Sequence, residues 1–247
     1  MTAADAPQFG LMRRRGRFIT LEGGEGAGKS TQVRIIAERL RGAGLETIAT
    51  REPGGTPHAE ALRRVLLAGA GTPLGPAAEA LLFSAARIDH LDTLIRPALE
   101  RGAWVVCDRF SDSTRAYQGA LGNLDPRLVR ALEQVTLGET RPDLTLILDL
   151  PPELGLARAS ARRKASEAAD RFEAETLAFH IGLRATFQDI AAAEPQRCVL
   201  IDAGCGKAEV AASIWQAIET RLLSARLRAK ARGQSLANLA ADQGTRT

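Results

Sequence analysis

Residues 23–30 read GGEGAGKS: two glycines flank four residues, and a lysine and a hydroxyl residue follow. Nucleoside triphosphate chemistry needs these residue types at this spacing. Without side chains in the way, the backbone N–H groups of Gly23, Gly24, Glu25, Gly26, Ala27 and Gly28 can curl around phosphate oxygens. Lys29 then supplies positive charge, Ser30 a hydroxyl ligand for magnesium, and Thr31 the next polar group of the loop. The pattern predicts a site for ATP with Mg2+.

Three further stretches carry groups of the same kind. Residues 51–56 (REPGGT) are turn-rich, and their proline and paired glycines set a backbone from which Arg51 and Glu52 can face a ligand. Asp108 and Arg109 follow the apolar run AWVVC. A carboxylate there can organise magnesium, and an adjacent arginine can bridge two phosphates. Residues 157–175 (ARASARRKASEAADRFEAE) are charged, alanine-rich and short of large apolar residues. By composition they suit a solvated helix face or a basic lid over phosphates equally well.

The elements that must position these groups show in the apolar pattern. Short runs at 18–21, 45–50, 103–107, 144–150 and 198–201 are each followed by a helical pattern, the first by a helix over 32–41 with Val33, Ile36, Ala37 and Leu40 on one face. Connections too long for hairpins predict a parallel sheet covered on both faces. Ligands then gather at the carboxyl ends of the strands, where Glu22, Arg51, Glu52, Asp108, Arg109, Asp149 and Asp202 fall.

Bulk properties narrow the class. A chain of 247 residues with 45% hydrophobic residues can bury a substantial core in one domain. The net charge of +4 is carried by the ends. Residues 1–17 hold about +3 and residues 221–247 about +5, leaving the middle about −4, so no nucleic-acid partner is expected. Cys107, Cys198 and Cys205 have neither metal nor redox spacing, and Cys107 and Cys198 read as small core residues. No signal core and no apolar stretch approaching a membrane span is visible, so a cytoplasmic protein without a membrane partner is expected.

Taken together, GGEGAGKS, REPGGT, LLFSAAR (81–87), DRFSDSTRAYQG (108–119), RPDLTLILD (141–149) and DRFE (170–173) resemble the bacterial thymidylate kinases over roughly residues 17–222. The resemblance implies an α/β phosphate-loop nucleoside monophosphate kinase fold, with a five-stranded parallel sheet flanked by helices and a lid at about 157–175. It implies transfer of the γ-phosphoryl group of ATP to dTMP with magnesium, in dTTP synthesis, by a homodimer. Residue by residue, it implies that Glu25 meets the acceptor sugar's 3′-hydroxyl, Phe83 stacks on the base, and Arg87 bonds a base carbonyl. Arg63 and Arg109 would hold the acceptor phosphate, Ser113, Thr114 and Gln118 the base side, and Tyr117 the sugar's 2′ edge. Ser30 and Asp108 form the implied metal side.

One branch of that family carries an arginine inside the phosphate loop; here the position is Gly26. The compensating charge is then expected from Arg158, Arg162, Arg163 or Arg171, in a lid lengthened by residues 164–169. The kinase domain is expected to span 17–228, between an N-terminal extension (1–16) and a disordered tail (229–247). Two rival readings are another small-molecule kinase of this fold and a regulatory nucleotide-binding module. The second is not supported by any guanine-recognition NKxD sequence and leaves REPGGT and Phe83 unexplained.

Overall fold

The computed structural model describes residues 15–162 and 171–223. The expected disordered tail, Arg163 and nearly all of the N-terminal extension lie outside the described residues. In chain order the elements are β1 (Phe18–Gly23), α1 (Lys29–Gly42), β2 (Thr47–Arg51), α2 (Pro57–Leu67), α3 (Gly75–His90) and α4 (Arg96–Glu100). They continue with β3 (Trp104–Asp108), α5 (Ser111–Thr114), α6 (Pro126–Leu137), β4 (Leu144–Asp149), α7 (Pro152–Arg162), α8 (Leu177–Ala193), β5 (Cys198–Asp202) and α9 (Lys207–Arg221). A π-helical turn, Arg115–Leu121, continues α5.

All strand pairings are parallel and the order is β2-β3-β1-β4-β5, the expected α/β architecture. Alternate residues feed opposite faces of the sheet. Ile19, Leu21, Leu144, Leu146 and Leu148 pack with Val33, Ile36 and Leu40 of α1 and Ile214 and Ile218 of α9. On the other face, Phe18, Val105 and Cys107 pack with Ile95 and Leu99, and Ile147 and Cys198 with Leu183 and Phe187 of α8. Cys107 and Cys198 are thus core residues, and all three cysteines are free. Among the described residues no single helix is long and apolar enough to cross a membrane.

β1 lies at the centre, between β3 and β4. Its register sets Leu21 beside Asp108 and Gly23 beside Leu148, while β3 sets Asp108 beside Arg51 of β2. The ends of three adjacent strands therefore deliver the phosphate loop, REPGGT and the Asp108–Arg109 turn to one edge.

Candidate active site

The phosphate-binding loop is built on backbone that side chains resist. Gly23, Gly26 and Gly28 have φ of 131°, 66° and 91°. A Cβ at Gly26 would lie 1.9 Å from the carbonyl oxygen of Gly155 on α7, and one at Gly155 would lie 2.3 Å from that of Glu25. Loop and helix thus meet glycine on glycine. A side chain at position 26 would therefore clash with the backbone of α7.

Lys29 opens α1 and is buried, its Nζ donating to the carbonyls of Gly23 (3.1 Å) and Gly24 (2.7 Å). Burial, joined by the charge of Arg109, lowers its pKa to about 8 against the pull of Glu25, Asp108 and Glu22. Ser30 Oγ donates to Asp108 Oδ2 at 2.5 Å. A hydroxyl and a carboxylate are therefore side by side where the resemblance implies the metal.

Arg109 has φ of 67°, a left-handed conformation that a non-glycine residue holds only when its surroundings fix it. Its backbone N–H donates to Leu21 O (2.9 Å), and its guanidinium to Gly23 O (3.1 Å), Ser113 Oγ (3.2 Å) and Glu25 Oε1 (2.5 Å). Glu22, fully buried at the end of β1, fastens the same turn by accepting from Phe110 N (2.8 Å), Ser113 N (3.3 Å) and Ser113 Oγ (2.6 Å). Burial, with the nearby Asp112 charge, pushes the Glu22 pKa up from 4.5 to about 7, over the opposing Ser113 bond and Arg109 charge. For Glu25 burial also acts upward, but Arg109, Lys29 and the Tyr117 hydroxyl outweigh it and hold the carboxyl down at about 2.

The Glu22 shift has a consequence for stability. A carboxyl whose pKa is raised on folding contributes stability that is complete below its unfolded value of 4.5 and is lost as pH rises through about 7. Glu25 and Glu194, both held near 2, change the balance only below that window. Thermal denaturation between about pH 5 and 8 should therefore show the wild type losing stability as pH rises, and Glu22→Gln flattening the slope. Equal slopes in the two proteins would contradict the assignment.

The acceptor side is built on α3. Glu79, Phe83 and Arg87 are spaced four apart, and His90 follows one turn on, so they share a helix face. Arg87 is held rigidly: Nε donates to Glu52 Oε2 (2.6 Å), and Nη2 to Phe110 O (3.2 Å) and Thr114 Oγ1 (3.1 Å). His90 Nδ1 lies 3.0 Å from Glu52 Oε1, and its Nε2 lies 2.8 Å from Thr50 Oγ1. In REPGGT, Arg63 donates to Pro53 O (2.7 Å), while Glu60 accepts from Arg51 (2.9 Å) and Gly55 N (3.0 Å). Tyr117 donates its hydroxyl to Glu25 Oε1 (3.0 Å), with its ring centroid 5.0 Å from that of Phe172.

A cavity of about 230 Å³ joins the two sides. Glu25, Gly26, Gly28, Lys29, Ser30, Thr31, Asp108 and Arg109 line the phosphate side. Arg51, Glu52, Arg63, Phe83, Arg87, Ser113, Thr114, Tyr117 and Gln118 line the acceptor side. Gly23, Gly24 and Ala27 do not face it: the first two give their carbonyls to Lys29, and Ala27 packs in the core.

The expected lid arginines separate. Arg162 reaches the cavity and lies 3.7 Å from Glu173. Arg158 instead donates to the carbonyls of Ala203 (3.0 Å) and Gly204 (3.4 Å), beyond β5. Arg171 pairs through both Nη atoms with Glu79. Glu79 was not among the residues singled out from sequence, and Phe172 and Glu173 entered only as part of DRFE, with no role of their own. Glu79 stands one helical turn before Phe83, and that spacing is the signal that could have found it.

Comparison with known proteins follows the same geometry. A family model described as thymidylate kinase matches residues 21–214. A thymidylate kinase from Rhodopseudomonas palustris is 64% identical over 85% of this chain and 91% of its own. One from Nitrobacter hamburgensis is 59% identical over 91% and 96%. The crystal structure of thymidylate kinase from Ehrlichia chaffeensis superposes with a TM-score of 0.67 at 31% identity, covering 83% of this chain and 99% of that one. With a phosphate-loop motif beside a cavity lined by α3 and relatives matched over nearly their whole length, this chain belongs to the thymidylate kinase family.

Proposed function

We infer that the cavity between the phosphate loop and α3 holds both substrates of the family reaction. The chain phosphorylates dTMP to dTDP using ATP. The observation that supports this arrangement is the continuity of the cavity from Lys29 and Ser30 to Phe83 and Arg87. ATP phosphates lie on the loop, the dTMP base rests against Phe83 with Arg87 donating to its carbonyl, and Glu25 accepts from the 3′-hydroxyl. Arg109, with Arg63, holds the acceptor phosphate. Ser30 and Asp108 suit magnesium, which takes one or two protein oxygens and completes its shell with phosphates and water. When bound there, it would supply positive charge against the phosphate oxygens in the transition state. The acceptor oxygen is already anionic at neutral pH, so Asp108 serves as an organiser rather than a proton acceptor. The enzyme works in the cytoplasm as a homodimer, a state supported by exposed Leu81 and Ile88 on α3 and Leu128 and Val135 on the neighbouring α6. ATP consumption should depend on both dTMP and magnesium; turnover with ATP alone at the same rate would contradict the reading.

Of the described lid arginines, Arg162 is the one placed to reach the transferring group, because Arg158 is tied to the β5 edge and Arg171 to Glu79. Arg162→Ala should lower kcat by about 10²-fold with little change in KM for dTMP, while Arg158→Ala costs less. Comparable kcat defects in both would return the role to the whole segment.

Tyr117 is packed against Phe172 and Phe179 and bonded to Glu25, so its ring cannot yield to an added 2′-hydroxyl. Tyr117→Ala should narrow the kcat/KM gap between deoxy- and ribothymidine monophosphates by about tenfold. An unchanged ratio would place the sugar gate elsewhere.

A further inference from the structure

Glu79 is a carboxylate buried on α3, where the acceptor pocket offers no phosphate and the reaction needs no base. It has two kinds of partner. Arg171 reaches it with both Nη atoms, the forked pairing that favours the ionised carboxylate. From the other side, buried Gln118 donates Nε2 to Glu79 Oε2 at 3.1 Å. An ionised carboxylate has no hydrogen to give. The amide nitrogen of Gln118 must therefore face Glu79, and its carbonyl oxygen is left to the cavity that Gln118 lines.

We propose that Glu79 is a specificity-determining positioning residue: it fixes the Gln118 amide so that the pocket presents a donor from Arg87 beside an acceptor from Gln118. This rests on reading the cavity as the dTMP base pocket. Thymine offers the complementary pair, a carbonyl oxygen next to a ring N–H. Cytosine offers an amino group next to a bare ring nitrogen, so both contacts fail and buried polar groups are left unpaired. Arg171, at the end of the lid segment, is the counter-charge that keeps Glu79 acceptor-only, which gives it a task away from the phosphates.

The test compares kcat/KM for dTMP and dCMP in wild type, Glu79→Gln and Arg171→Met. A glutamine at position 79 can donate as well as accept, so the Gln118 amide is free to turn; loss of Arg171 favours a protonated Glu79 with the same result. Each variant should shrink the dTMP-to-dCMP ratio by at least about tenfold, chiefly through KM, and Glu79→Asp should restore part of it. Correctly folded variants with the wild-type ratio would overturn the proposal. A measurement on the wild type is independent of variant folding: the Gln118 side-chain NH2 should exchange slowly with solvent both before and after dTMP binds. Fast exchange in the free enzyme would overturn the proposal as well. If the wild type does not phosphorylate dTMP at all, it is the base-pocket reading that fails, and the proposal with it.

Discussion

Replacing Lys29 with Met should lower kcat by about 10³-fold while leaving the fold nearly as stable. The ammonium group is held at the loop by two carbonyls, but in the free enzyme burial and Arg109 disfavour its charge against the pull of Glu25, Asp108 and Glu22. Its removal frees the carbonyl of Gly24, leaves that of Gly23 bonded to Arg109 and relieves repulsion with Arg109. Little folding energy is lost. In the transition state the balance differs, because negative charge spreads over the transferring oxygens and Lys29 is one of few cations within reach. Steady-state turnover at saturating ATP and dTMP, alongside thermal unfolding, separates the two effects. A variant retaining more than about a tenth of wild-type kcat would contradict the loop assignment.

Arg109→Met should reduce kcat/KM for dTMP by about 10²- to 10³-fold and, unlike the lysine change, should also lower stability. Arg109 joins Gly23 of the loop, Ser113 of α5 and the Glu25 carboxylate, which its charge helps hold at about 2. Without it Glu25 is a buried anion with weakened compensation, and on the proposed reading the acceptor phosphate loses one of its guanidinium partners. Adding Glu25→Gln to Arg109→Met should recover part of the stability and none of the activity. Recovery of both would mean that Arg109 acts only by neutralising Glu25.

Much of this site was legible because its chemistry is local in sequence. GGEGAGKS, REPGGT and the Asp108–Arg109 pair each end a strand, and a parallel sheet brings strand ends together whatever the intervening helices do. Phe83 and Arg87, which lie on one helix face, were reached through the resemblance to the thymidylate kinases and not from strand ends. Glu22 was visible as a polar residue at a strand end, but its task of pinning the left-handed turn at Arg109 depends on backbone 88 residues away in sequence. Arg171 shows the limit most clearly. From composition it is one more cation in a charged segment, and only the folded chain pairs it with Glu79. Gly26 is the converse case: its lack of a side chain was legible, whereas the reason, the carbonyl of Gly155 at Cβ distance, was not.

A thymine-selective pocket adjoining the phosphate loop is tested by magnesium-dependent ATP consumption by the wild-type enzyme with dTMP, dCMP, dGMP and dAMP offered separately at equal concentration. Turnover should be confined largely to dTMP, since Arg87 and the Gln118 carbonyl suit thymine's edge and neither cytosine's nor adenine's, while guanine, which shares that edge, is the larger purine. Equal rates with all four nucleotides would contradict it.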